Sequence, residues 1–285
     1  MMKANVTGGA EIQVLSLGKQ FPQGRFERVQ SRFERVINFH WEDRIISLCD
    51  ESVLPAPLRI IVGNLRIEQV KSVRRIDEFT IWIEKERFEL TPQQIYDPAV
   101  VFKSGAWKTI VAKIGELTKI YNTVCRGKGL QYLLGGQSDP ASAGPLEKAL
   151  RRRFREGYEA CLAGNFKAAI SCLRGLGGGL TPAGDDFLAG LQTGLGLAEQ
   201  TAKLDLAETR QFIYSYSFSQ SPIVNTLRYQ SYNALYPQEW RDLVTTLVSN
   251  GDLRASVKAI VATGETSGSD MLAGFITGLA FAAKA

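Results

Sequence analysis

Histidine is almost missing from this chain. The single one, His40 in VINFHWEDRI, stands beside a tryptophan at the end of an apparent strand, where packing or a turn accounts for it. Without a second histidine, Ser-His-Asp and Cys-His chemistry fall away as first readings, and so do histidine-rich metal sites. Cysteine is sparse: Cys49, Cys125, Cys161 and Cys172 form no CxxC and no paired spacing. That argues against a disulfide framework or structural zinc and fits a reducing compartment. No apolar stretch approaches the length of a membrane span, and MMKANVTGGAEIQVLSLG lacks a basic segment followed by a long apolar run. A soluble, cytoplasmic protein with no membrane contact is therefore expected. A large charge excess is also lacking, since 34 Lys and Arg against 29 Asp and Glu leave +5. This is too little to make nucleic acid the default partner, but it suits a small anionic substrate or an acidic protein. The densest basic run, Arg151-Arg152-Arg153 with Arg155, falls mostly off an apolar helix face of Leu146, Leu150, Phe154 and Tyr158. It reads as a solvated helix face.

What is present is an ordinary globular composition, 45% hydrophobic and 22% charged over 285 residues, enough for one large domain or two modest ones. From Glu11 to about Phe102 the pattern is strand-like: EIQVLSLG, RFERVQSRFERVINFHW, RIISLCD, LRIIVGNL, VRRI, FTIWIEKERFEL and VVFK, punctuated by Gly, Pro, Asn and Asp. Period-two alternation and β-branched residues predict a mostly antiparallel β domain over residues 1–105, a sandwich or barrel, with a hairpin near Lys85-Glu86. After Ser104 the period changes. Ile110, Ile114, Leu117 and Tyr121 share a helical face, so a helix is expected from near Trp107. GGQSDPASAG, Gly135 to Gly144, is a polar loop, and helical segments follow near 145–163, 166–174, 185–200, 204–214, 222–235, 238–249, 252–262 and 268–283, with Ser221-Pro222 as an N-cap and first residue. The fold class is α+β, with residues 106–285 forming an all-helical domain.

Two stretches of that domain are related. Asp186-Phe-Leu-Ala-Gly-Leu-Gln-Thr-Gly-Leu195 aligns with Asp270-Met-Leu-Ala-Gly-Phe-Ile-Thr-Gly-Leu279 at a constant offset of 84 residues, and Gly184 falls on Gly268. On helices, Asp186, Ala189, Gly190, Thr193 and Gly194 share a face, as do their counterparts, and small residues at this spacing let helix backbones approach closely. If the helices pack together, Asp186 and Asp270 meet at their N-terminal ends, with Asp185 close by. Ahead of the first motif, Gly177, Gly178 and Gly179 free the backbone to present N–H groups, and Thr181-Pro182 offers a cap and a first helical residue. Such a start favours phosphate or carboxylate, yet the aspartates already answer the helix dipole. An anion would then need a cation between, and Mg²⁺ held by Asp186 and Asp270 is the candidate. The plainer alternative is a duplicated helix pair in which glycines turn and pack, Thr181 caps and the aspartates face the dipole. Neither GxxxxGK[ST] nor a strand-borne GxGxxG is present, so no nucleotide is indicated, nor haem, zinc or flavin.

GGGLTPAGDDFLAGLQTGL and the later GETSGSDMLAGFITGL resemble the signature of a bacterial family whose first motif reads GLTPSGDD and whose second ends TSG-x-D. SRFERVINF and ISLCDESVLPAPLRIIV match it more loosely. The first motif is met by Gly179, Leu180, Thr181, Pro182, Gly184, Asp185 and Asp186, with Ala183 where Ser is usual; the second is met by Thr266, Ser267, Gly268 and Asp270. TLRYQSYNAL is a loose candidate for a Thr- and Ser-containing segment between them. The family includes AllH-type subunits of oxamate carbamoyltransferase, which work with FdrA-like and AllG-like subunits in allantoin (purine) breakdown. The resemblance implies a transferase subunit interconverting oxalurate plus phosphate with oxamate plus carbamoyl phosphate. Asp185, Asp186 and Asp270 would then be catalytic, and Gly178, Gly179, Thr181, Gly184, Thr266, Ser267 and Gly268 would bind substrate; Arg174, just before the loop, could add a cation, though it reads more readily as a surface arginine at a helix end. A non-catalytic assembly subunit is the other expectation.

Overall fold

The computed structural model describes residues 12–64, 66–135, 144–249 and 251–285; the expected polar loop of residues 135–144 lies outside them except at its ends. The chain divides into two compact units, Met1–Pro98 and Ala99–Ala285. Its class is α+β.

The first unit holds the strands β1 (Gln13–Gly18), β2 (Gly24–Phe26), β3 (Val29–Arg32), β4 (Val36–Trp41), β5 (Arg44–Asp50), β6 (Arg59–Gly63), β7 (Val73–Arg75), β8 (Thr80–Ile83), β9 (Glu86–Glu89) and β10 (Ile95–Tyr96). They form two open sheets, ordered β10-β1-β6-β5-β4-β3 and β2-β7-β8-β9. Pairing is antiparallel except at β1–β10 and β5–β6. β5 and β6 are buried along almost their whole length, which is why RIISLCD and LRIIV read as apolar runs rather than alternating ones. The expected hairpin is β8–β9, turning at Glu84 and Lys85, with Glu84 at φ 55°. VVFK forms no strand: beyond the short β10 the chain runs irregularly to Gly105.

The second unit is built from α1 (Ala106–Val124), α2 (Pro145–Leu162), α3 (Phe166–Leu173), α4 (Ala183–Ala202), α5 (Ala207–Tyr216), α6 (Pro222–Tyr232), α7 (Gln238–Leu247), α8 (Leu253–Val261) and α9 (Ser267–Ala282), with a 3-10 segment at Gly129–Leu134. Ser221 caps α6 ahead of Pro222 as expected, its hydroxyl accepting from the Val224 amide. α2 presents Phe154, Gly157 and Cys161 to the core, while Leu146 stays 75% exposed because the first turn of the helix lies outside it. The arginine run is a surface feature: Arg151 pairs with Glu147 at 3.0 Å and Arg152 with Glu156 at 3.8 Å. α4 and α9 are buried nearly all round, the mark of helices at the centre of a bundle. Among the described residues the four cysteines are unpaired, and no helix is long and apolar enough to cross a membrane.

Candidate functional site

α4 and α9 touch backbone to backbone. A Cβ on Gly190 would lie 1.8 Å from the Met271 carbonyl oxygen, and one on Gly274 would lie 1.9 Å from that of Phe187. One turn on, Gly194 faces the carbonyl of Phe275 and Gly278 that of Leu191, at 2.4 and 2.6 Å from the same hypothetical atom. Early residues meet early residues and later ones meet later ones, so the helices run parallel. Exchanging the two helices at the 84-residue offset turns each contact into its counterpart. Thr193 and Thr277 also correspond, each hydroxyl donating to the carbonyl one turn back, on Ala189 at 3.0 Å and Ala273 at 2.7 Å. The relation extends to the helix starts. A Cβ on Gly184 or Gly268 would sit 1.9 Å from the carbonyl of Leu173 or Ile260, so each helix is pressed against the end of the one before it. At these two buried positions the missing side chain serves packing.

Parallel packing sets two positive dipole ends side by side, an unfavourable arrangement that the acidic first turns offset. The two motifs meet there: the Thr181 and Ser267 hydroxyls are 2.8 Å apart, and Thr181 Oγ1 donates to Asp186 Oδ2 at 3.0 Å. Thr181 was expected to cap α4, but the cap position is Pro182, with Ala183 the first helical residue. A threonine one residue too early for the cap turns its hydroxyl to the aspartate. The Gly184 amide donates to Leu176 O, and the Asp185 and Asp186 amides donate to Pro182 O, so these N–H groups of α4 are not available to an anion. The loop is different. Gly177, Gly178 and Gly179 are exposed, and their amides donate to no group among the described residues. Gly177 and Gly179 take φ of 113° and 88°, which a side chain would strain, whereas Gly178 has open space around it.

The three aspartates are buried, at 3%, 1% and 0% exposure for Asp185, Asp186 and Asp270, and each keeps one oxygen without a hydrogen-bond partner. Asp185 Oδ1 accepts from the Gly175 amide at 2.9 Å, and Asp270 Oδ1 from the Leu130 amide at 2.7 Å; Asp185 Oδ2, Asp186 Oδ1 and Asp270 Oδ2 are left over. Burial pushes the Asp186 carboxyl up to about 8 against the pull of the Ser267 and Thr181 hydroxyls, and the charges of Asp270 and Asp185 raise it further. Burial raises Asp270 to about 6, opposed by the Leu130 amide and the Thr266 hydroxyl. Asp185 is also raised by burial, opposed by the Gly175 amide and the charges of Arg228 and Arg174. Unpaired buried acceptors are costly, and groups shifted this way are common where protons are moved. Among the described residues no group of three or more His, Cys, Asp or Glu side chains is gathered as a metal site.

The structure brings Thr181, Asp186, Thr266, Ser267 and Asp270 together and holds Asp185 on the same first turn of α4. Several supporting groups went unnoticed in the sequence. Gly129, at φ 51°, lets the 3-10 segment lie so close to Asp270 that a Cβ would fall 2.2 Å from its Oδ1. Tyr121 OH donates to Ser269 O at 3.1 Å. Arg228, in the TLRYQSYNAL stretch, is buried and donates to Ser217 Oγ at 2.9 Å and Asn225 Oδ1 at 2.8 Å. The one available signal was the doubled glycine of RGKGL, which marks a turn but not its distant partner.

Comparisons with curated proteins and with solved structures each found no match. Residues 173–279, running from the end of α3 through most of α9, match the model of the family described as oxamate carbamoyltransferase subunit AllH. The part of the chain that carries both motifs is thus similar to the family that those motifs resemble.

Proposed function

We propose that the chain is a subunit of a carbamoyl-transferring complex of the oxamate carbamoyltransferase type, and that the joined starts of α4 and α9 handle protons for it. The observation that carries this is the meeting of both motifs through Thr181 and Ser267 over buried aspartates that each keep an unpaired oxygen. In the transfer, a phosphate oxygen attacks the carbamoyl carbon of oxalurate, the bond from that carbon to the oxamyl nitrogen breaks, and the nitrogen takes up a proton to leave as oxamate. Asp186, mostly protonated at neutral pH, is suited to donate that proton and, as its carboxylate, to take it back in the reverse direction, while Asp270, mostly ionised there, is suited to accept the proton that the attacking phosphate gives up. The free amides of Gly177–Gly179, with the hydroxyls of Thr181, Thr266 and Ser267, suit phosphate oxygens. The other subunits, FdrA-like and AllG-like, complete the site.

Mg²⁺ shared by Asp186 and Asp270 would supply positive charge to the phosphate, taking its remaining ligands from substrate and water. It would keep both carboxylates ionised, so at Asp186 the metal and proton-donor roles exclude each other. Thermal shifts with carbamoyl phosphate, with and without Mg²⁺, separate them: stabilisation that needs Mg²⁺ and vanishes in Asp186→Asn assigns the metal, and metal-independent stabilisation removes it and leaves Asp186 free to act as the donor.

The main test is turnover of the complex assembled with Asp186→Asn. Assembly is expected to persist while the rate falls on the order of a hundredfold or more; unchanged turnover would sink the proposal. The tight glycine contacts favour a second reading, in which the motifs serve only packing and assembly. It expects Gly190→Leu to abolish assembly while every aspartate variant behaves as wild type.

A further inference from the structure

The second unit carries a cleft of about 390 Å³, lined by Lys167, Ile170, Ser171 and Arg174 of α3 and its C-cap and by Phe212 and Tyr216 of α5. None of the three buried aspartates lines it, although the charge of Arg174 reaches Asp185. Its size is within the range of small-molecule pockets. Two features set its chemistry. Lys167 and Arg174 are exposed cations that make no ion pair among the described residues; Arg174 Nη1 donates to the Tyr216 carbonyl at 3.1 Å, which ties the end of α3 to the end of α5. The rest of the lining is largely apolar. The Phe212 and Tyr216 rings lie 4.5 Å apart with planes 32° from parallel, and Tyr216 is 59% exposed although it is a large aromatic residue. Ile170 belongs to that apolar part, and Ser171 adds one hydroxyl.

We infer that this cleft binds a small organic anion, a carboxylate on a flat apolar body, with Lys167 and Arg174 meeting the charge and Phe212, Tyr216 and Ile170 covering the body. A bare inorganic anion would use the two cations and leave the aromatic wall wet. A neutral aromatic would use the wall and leave both cations unanswered. Only a ligand with both parts uses the whole lining.

The experiment is isothermal titration of the full-length chain with 2-naphthoate, 2-naphthamide and inorganic phosphate. The acid is expected to bind saturably and at least about tenfold more tightly than either the amide or phosphate. Lys167→Gln with Arg174→Gln, both exposed positions, should remove the preference for acid over amide while leaving the melting temperature near that of the wild type. Tyr216→Ala should weaken acid and amide together. Equal affinity for acid and amide, phosphate binding as tight as the acid, no saturable binding of the acid, or a preference that survives in the double variant would each overturn the proposal.

Discussion

Asp186 is a residue that the fold holds at a loss. Its carboxyl is raised from 3.8 to about 8, so between those values the folded chain keeps a proton that the unfolded chain has released. The folded state then binds more protons, and stability falls as pH rises through that window, levelling above about 8. Asp270 adds a smaller loss of the same sign between 3.8 and about 6. Asp186→Asn keeps an acceptor for Thr181 and removes the ionisation. It should gain on the order of 2 kcal/mol over wild type at pH 8 and lose most of that gain at pH 4. Urea unfolding at the two pH values measures this, and a variant no more stable than wild type at pH 8 would refute it. A substitution that stabilises the chain while stopping turnover marks a site maintained for chemistry rather than for the fold. At this scale the sequence identified the aspartates, because paired carboxylates after a glycine turn are visible in one dimension. It could not show that Thr181 turns away from capping, nor that the Leu130 amide reaches Asp270, since those contacts depend on where remote backbone lies.

At the scale of the element, the glycines separate into kinds that their letters do not distinguish. Gly190 and Gly274 face carbonyl oxygens, so an added methyl forces α4 and α9 apart; Gly190→Ala should cost at least about 2 kcal/mol. Gly179→Ala should cost about 1 kcal/mol through its left-handed backbone alone. Gly178→Ala meets nothing and should stay within about 0.5 kcal/mol of wild type. Thermal melts of the three variants check the order, and a Gly178→Ala loss as large as that of Gly190→Ala would contradict it. Helix positions were legible because apolar residues recur with helical period, and the predicted 166–174 and 268–283 correspond to α3 and α9. VVFK was misread because a short β-branched run carries no signal for whether a partner strand is present.

For the whole molecule, the change of texture near residue 105 and the division after Pro98 bracket an exposed stretch that includes Lys103. Brief trypsin treatment should cut after Lys103 first and leave two resistant fragments; a first cut inside α4 or α9 would contradict this division. The reciprocal contacts of α4 and α9 carry a last consequence. Two copies of one helix, related by a local two-fold, would give Asp186 and Asp270 identical surroundings and hence equal acidity. Their neighbours differ: the backbone amide of Leu130 approaches Asp270, while Asp186 has hydroxyls and a second carboxylate beside it. Broken symmetry therefore turns a duplicated acid into an unequal couple, one member tending to hold a proton where the other has given it up. Under the proposed function, that inequality is what would suit the two members of a repeated motif to opposite tasks.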